Sequence, residues 1–347
     1  MLSIALIASY LVVVAGIAFL AKALDRQFPG WILAATALLP LLLLGRGLVS
    51  NQTLLPIDHA TVMPPWYEAG HVPPRSWFLQ DLTTQYLPWA KLVRDAWRAG
   101  ELPLRDRWNG CGTPLAANGL SGAFSPFVLP ILVFPLAKAF ALLAAVKLFL
   151  CLAGMWLWLT ELRVSRGAAL FGSVAFSLSF TMLPWIFYVQ SAVVCLWPWC
   201  LFALETLRDE TVRRRGFRLL TALFMLLTVQ GHLESVAMGL SFAGAFLVLR
   251  WISGDLPEAP RVLRNAAIAG LLALALGAFL LFPQALAILA SNRLALRAEP
   301  YWAPIWWLPH GPHWPAGLLT TLFPRVLGDD ITSRLLPAHI STFPEMG

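Results

Sequence analysis

The chain has 347 residues, of which 59% are hydrophobic and only 12% charged, with a formal net charge of +7. A soluble domain is about 25% charged, so this composition excludes a water-soluble fold. The basic excess reads as the positive cytoplasmic loops of a membrane protein and not as a nucleic-acid footprint.

Apolar runs of about 20 residues mark spanning helices, and here they fall near 3–22, 30–48, 139–160, 168–187, 190–206, 217–231, 234–252 and 265–290. The expected fold is all-α, a polytopic integral membrane protein of about eight transmembrane helices. Two N-terminal spans occupy 1–48, a large loop with an amphipathic helix occupies 49–138, and a six-helix bundle occupies 139–290. The segment 291–347 stops at Pro344-Glu345-Met346-Gly347 with no closing helix, as expected of a fragment or a truncated chain. Residues 1–23 have no Lys or Arg before their apolar run, which is long for a signal peptide, so they read as an uncleaved first helix. Phe124-Ser125-Pro126-Phe127-Val128-Leu129-Pro130 is apolar but Pro-broken, and suits an interfacial or re-entrant piece better than a span.

Short loops set the orientation. Lys22 and Arg26, Arg163 and Arg166, the run Arg208 to Arg218, and Arg250, Arg261 and Arg264 fall on one side of this count. The opposite turns, at Tyr188-Val189-Gln190 and Gly231-His232-Leu233, carry no Lys or Arg. The positive-inside rule makes the first group cytoplasmic and places 49–138 and 291–347 outside. The working face is therefore expected to be extracytoplasmic. Sixteen Trp residues suit a protein with two bilayer interfaces to anchor. Of the four cysteines, Cys151, Cys195 and Cys200 lie in apolar segments as small hydrophobes and Cys111 stands alone in the loop, so no structural disulfide is expected.

The long loop concentrates polar chemistry. Residues 84–99 read as an amphipathic helix with Leu92, Val93, Ala96 and Trp97 on one side, Lys91, Arg94, Asp95 and Arg98 on the other, and Gly100 as its stop. Such a helix lies in a membrane interface or packs as an ordinary solvated face. Asp81, just before it, is an N-cap, a general base, or both. His232 and Glu234 sit between two apolar helices, as a site or as an exposed turn. Lys147, inside an apolar run, either snorkels outward or neutralises a substrate phosphate. His310 and His313 are separated by Gly and Pro, and with His59, His71 and His339 they make no ligand set at metal spacing. No GxxxxGK[ST], strand-linked GxGxxG or GxSxG motif occurs, which argues against direct nucleotide use.

The series Asp81, Tyr86-Leu87-Pro88-Trp89, Gly100-Glu101-Leu102-Pro103-Leu104, Trp108-Asn109, Gly112-Thr113-Pro114-Leu115 and Ser125-Pro126 resembles the YfhO-like bacterial membrane proteins of the glycosyltransferase C (GT-C) type group. Leu152-Ala153-Gly154-Met155, Ser165-Arg166-Gly167-Ala168-Ala169-Leu170, Gln230-Gly231-His232 and Phe282-Pro283-Gln284 continue the likeness, which covers roughly 75–325. Where the family often has Gly-His-Pro, this chain has Gly231-His232-Leu233-Glu234, and the chain is much shorter than family members.

The resemblance implies a GT-C-like membrane glycosyltransferase using a polyprenyl-phosphate sugar donor and a cell-envelope acceptor, with Asp81 as the catalytic residue. Lys147, or Arg94 and Arg98, would stabilise the lipid phosphate, and His232 and Glu234 would orient sugar or acceptor. Tyr86 and Asn109 are further substrate-binding candidates. Tyr301, Trp302, Trp306 and Trp307 would stack on sugar or anchor in the interface. No resident cofactor is implied beyond the lipid-linked donor; a divalent metal is allowed, but no ligand set indicates one. Two other classes fit the same loops: a transporter or flippase of a lipid-linked substrate, and a non-enzymatic envelope scaffold.

Overall fold

Prolines and glycines set several of the helix ends, among them Pro29, Pro135 and Gly231. The computed structural model describes residues 1–26, 28–64, 66–69, 79–110 and 112–291. In chain order its helices are α1 (Leu2–Ala23), α2 (Gly30–Val49), α3 (Leu87–Arg98), α4 (Leu129–Val133), α5 (Leu136–Glu161), α6 (Arg166–Ser177), α7 (Val189–Val194), α8 (Trp197–Thr206), α9 (Arg213–Gln230), α10 (Leu233–Ile252) and α11 (Ala259–Leu289). A two-residue ladder in the long loop pairs β1 (Arg105–Asp106) antiparallel to β2 (Thr113–Pro114). The chain divides into two compact units, one of residues 1–55 and 86–284, the other of 56–85 and 285–347.

Among the described residues, six helical segments are long and apolar enough to cross a membrane: α1, α2, α5, the stretch 189–206, α10 and α11. The protein is thus an all-α, membrane-embedded chain, and two of the eight expected spans take a different form. The run 168–187 forms only the 12-residue α6, followed by turns to Tyr188. Twelve residues rise about 18 Å, short of the roughly 30 Å hydrocarbon layer. The expected 217–231 helix starts earlier, at Arg213, and so carries Arg213, Arg214, Arg215 and Arg218 in its first two turns. The stretch 189–206 is broken between α7 and α8 at Cys195-Leu196. The cause is local: Pro198 has no N–H to donate to the carbonyl four residues back, and Leu196 N bonds the Val193 carbonyl at 3.0 Å instead.

Helix α5 is the core of the larger unit. It is apolar all round and buried on nearly every side, as a central helix should be. Small residues let its neighbours approach. Gly154 faces the Trp199 ring so closely that a Cβ would lie 2.5 Å from it, and Trp199 Nε1 donates to the Leu150 carbonyl at 2.8 Å. At its start, Lys138 Nζ donates to the carbonyls of Gly47 (2.8 Å) and Ser50, closing the C-terminus of α2. Cys151, Cys195 and Cys200 are buried free thiols on these central segments.

At the other end of α5, several of the Arg-rich loops are tied to one another by separate ion-pair clusters. Arg26 forks onto Glu161 at 2.7 and 2.8 Å and reaches Asp209 at 3.7 Å. Glu205, only 3% exposed, lies between Arg208 (3.2 Å) and Arg250, and Arg250 also covers the Phe246 ring. Arg215 pairs with Asp25, and Arg213 and Arg261 with Glu210. These pairs tie the loop after α1 to the C-terminus of α5 and to the loop between α8 and α9, and the end of α10 to α8.

In the smaller unit, helical turns at Asp58–Val62 and Trp66–Ala69 precede a π-helical turn at Leu82–Tyr86. Thr83 Oγ1 donates to the Pro56 carbonyl at 3.3 Å.

Removing one partner of a buried ion pair leaves the others uncompensated, so Glu205→Ala is expected to cost about 3 kcal/mol, read as a drop in thermal unfolding temperature in detergent. Glu210→Ala, at an exposed carboxylate, is expected to leave that temperature unchanged.

Candidate functional site

The helical run that includes Asp81 starts at Gln80, so Asp81 lies inside its first turn and not at the N-cap. Its Oδ1 accepts from Gln85 Nε2 at 3.0 Å, and burial raises its carboxyl above the ordinary carboxylate value. The wide turn that follows has a cause in Pro88. Without an N–H for the Thr84 carbonyl, the backbone is wound more loosely there, and such π-turns recur at functional sites. Helix α3 then runs to a glycine stop. Gly100 has φ +75°, with Gly100 N bonding the Trp97 carbonyl and Glu101 N the Ala96 carbonyl, the paired bonds of a Schellman cap.

The amphipathic expectation for α3 holds in outline. Tyr86, Ala90 and Val93 are buried, while Lys91, Asp95 and Arg98 are exposed. Arg98, however, is held by the fold: its Nε and Nη2 donate to the Leu132 carbonyl at 2.9 and 2.6 Å, closing the end of α4. Arg94 is half-buried. Trp97 Nε1 fixes the next segment by donating to the Ala123 carbonyl at 3.0 Å.

That segment, 115–128, lies against the end of α9. Gly119 and Gly231 approach so closely that a Cβ on either would collide with the other's carbonyl. Gly231, at φ +85°, also turns the chain between α9 and α10. Ser125 Oγ accepts from Phe127 N at 3.1 Å, starting a short helical turn, and donates to Gln230 Oε1 at 2.7 Å. Gln230 is 1% exposed, and its Nε2 has no hydrogen-bond partner among the described residues.

Between α3, this segment, α5 and residues 187–192 opens a small cleft with a cavity volume of about 60 Å³. Its walls are mostly apolar; Phe140 and Leu143 belong to the same face of α5 as Lys147, at helical spacing. Its polar groups include Tyr86, Ser121, Ser125, Lys147 and Gln230. Tyr86 OH donates to Gln190 Oε1 at 3.4 Å, and its ring meets that of Tyr188 edge-on at 4.8 Å.

Lys147 does not snorkel. It is 4% exposed, and its Nζ donates to the Tyr188 carbonyl at 3.0 Å and to Ser191 Oγ at 2.7 Å. Ser191 Oγ in turn bonds the Tyr188 and Ile186 carbonyls. Among the described residues no carboxylate lies within 4.0 Å of this ammonium. The cleft thus holds a buried lysine whose hydrogen-bond partners are a backbone carbonyl and a hydroxyl.

The structure separates the remaining candidates from this cleft. His232 is the N-cap of α10, its Nδ1 accepting from Ser235 N at 3.2 Å, and burial lowers its pKa. Glu234 is exposed in the first turn of α10, and Asn109 is exposed in the loop, beside a Trp108 that is 86% exposed. None of these residues is among those lining the cleft, and neither are Asp81, Arg94 and Arg98; of the residues singled out in the sequence, Lys147 and Tyr86 line it. Tyr301, Trp302, Trp306, Trp307, His71, His310, His313, His339 and Cys111 lie outside the described residues. His59 is buried in the turn Asp58–Val62, and among the described residues no three His, Cys, Asp or Glu cluster as a metal site. Gln230 and Ser125 were quoted only as motif letters in the sequence. The signal for a role was there in Gln230, an amide closing an apolar helix just before a glycine.

A lowered imidazole pKa means that the unfolded chain binds the proton more readily than the folded one. Stability is therefore full above the ordinary value of 6.5 and declines as pH falls below it, because a protonated Nδ1 cannot accept from Ser235 N. Protection of the Ser235 amide against exchange, taken relative to an unstructured chain at the same pH, is expected to fall below that pH in the native chain, and to lose this pH dependence in His232→Asn, which keeps a capping acceptor.

No family model matches this chain, and no curated protein or solved structure matches it either, so the case for its chemistry rests on these side chains.

Proposed function

We propose that the chain is a membrane glycosyltransferase that moves a sugar from a polyprenyl-phosphate carrier to a cell-envelope acceptor on the extracytoplasmic face of a bacterial inner membrane. The observation that carries this reading is Lys147, a buried ammonium without a carboxylate, in an apolar-walled cleft. A lipid phosphate has the matching form, an anion attached to a hydrocarbon chain. The motif resemblance to YfhO-like, GT-C-type proteins supplies the reaction class.

In this mechanism an acceptor hydroxyl loses its proton to a base, for which Asp81 is the candidate the sequence offers, as its oxygen forms a bond to the sugar's anomeric carbon. The bond from that carbon to the phosphate oxygen breaks, and the electron pair leaves with the lipid phosphate. Lys147 stabilises that leaving anion, the kind of preorganised electrostatic help that is worth most where water is excluded. The raised Asp81 pKa suits a base, since proton affinity rises with it. Arg98 is not assigned to the phosphate, because its guanidinium already serves the Leu132 carbonyl.

A lipid-linked-substrate translocator is the second reading, and the break between α7 and α8 favours it, since discontinuous helices are a common device of transporters.

Transfer from a polyprenyl-phosphate sugar, measured in membranes, decides between them. Asp81→Asn is expected to lower the rate at least about 100-fold with normal membrane insertion, and Lys147→Met to lower it by about 100- to 1,000-fold. Because Asp81 must be ionised to act, the wild-type rate is expected to fall with decreasing pH from a point above the ordinary carboxylate value of 3.8. Undiminished transfer in Asp81→Asn would remove Asp81 from the chemistry.

A further inference from the structure

Gln230 raises a separate question. Its side chain is almost fully buried, one end of the amide is held by Ser125 Oγ at 2.7 Å, and the other end, Nε2, has no acceptor among the described residues. A buried donor left unpaired costs free energy that a bound acceptor would recover. The same cleft contains Lys147, whose ammonium has three N–H groups, two of them directed to Tyr188 O and Ser191 Oγ. One ammonium N–H and both amide N–H groups are left for a ligand. Three donors carrying one positive charge fit a phosphate headgroup, which offers several strong acceptor oxygens and a negative charge. They fit a hydroxyl less well, and a cationic headgroup not at all.

We propose that Gln230 is the headgroup-selecting residue of this cleft: its Nε2 and Lys147 Nζ together hold the oxygens of a phosphate on a single-chain amphiphile, whose tail lies along Phe140, Leu143 and Val128. This rests on the lipid-phosphate donor proposed above and adds to it which side chain selects the phosphate. The Ser125 hydrogen bond orients the amide, and the Gly119–Gly231 contact brings the Ser125 segment against the end of α9 that carries Gln230.

The test uses the full chain purified in a neutral maltoside detergent, with dodecyl phosphate as the probe and phosphorus NMR line broadening as the readout. Saturable binding is expected for the wild type. Inorganic phosphate, lacking the tail, is expected to show none at the same concentrations, and dodecyltrimethylammonium is expected not to compete. Gln230→Leu should weaken binding about tenfold or more, the usual consequence of losing hydrogen bonds to a charged group. Gln230→Glu is nearly isosteric, so it guards against a folding defect, and by presenting a carboxylate to the phosphate it should abolish binding. Ser125→Ala keeps Nε2 and should weaken binding no more than about threefold.

Wild-type affinity in Gln230→Glu would overturn the assignment. So would a loss in Ser125→Ala equal to that in Gln230→Leu, which would locate the effect in the segment contact and not in Nε2. Equal affinity for inorganic phosphate would contradict an amphiphile and point to a free anion. Sugar transfer assayed on the wild type separates the two claims. Transfer together with Gln230-independent binding contradicts this inference alone, whereas Gln230-dependent binding without transfer supports it and contradicts the transferase reading alone.

Discussion

A lysine in the middle of an apolar, all-round buried helix must be compensated by groups within a few ångströms, because an ammonium in hydrocarbon costs several kcal/mol. Lys147 finds a carbonyl at Tyr188 and a hydroxyl at Ser191, and this requirement shapes its surroundings. Residues 187–191 have to turn against α5 to bring those oxygens in, so α7 begins beside the lysine and not at the far end of a straight span. Tyr188, drawn to the same place, presents its ring to Tyr86, and the cleft opens between them. Dipoles orient the cation without neutralising it. On the proposed function, that lysine is what would receive an anionic ligand in the cleft.

The two ends of the bundle handle charge differently. At the Arg-rich end, several of the cations are paired with Glu161, Glu205, Asp209, Glu210 and Asp25 in separate small clusters, so those pairs read as structural. Near the cleft the conserving of shape falls to neutral contacts: a glycine pair, a serine–glutamine hydrogen bond, and a tryptophan N–H on a loop carbonyl. Such contacts hold backbone segments in place and leave Lys147 and Gln230 with donors to offer.

Much of this was legible in the sequence, for reasons that also explain what was not. Helices α1, α2, α5, α10 and α11 were readable because a chain in hydrocarbon must satisfy its own backbone groups, and a run of about 20 apolar residues has few other ways to do so. The run 168–187 misled because hydropathy adds up equally over a helix and over the turns after Ser177, where Pro184 disfavours helix in the residue before it. The Gly100 stop was visible from residue type alone. Arg98 looked like an anion ligand, but the carbonyl that takes its fork belongs to Leu132, 34 residues away, and no local pattern announces such a partner. Lys147 was recognisable as an anomaly, yet whether it snorkels or is buried depends on Tyr188 and Ser191, which the sequence does not place beside it. The Gly119–Gly231 contact was hidden for the same reason.

The central claim is that the cleft around Lys147 holds a phosphate-bearing amphiphile. Mass spectrometry of lipids retained by the protein after purification in neutral detergent tests it most directly. The account predicts a phosphate-bearing isoprenoid amphiphile enriched over its share of the source membrane, and loss of that enrichment in Lys147→Met. Retention of only bulk phospholipid in membrane proportions, identical in both proteins, would contradict it.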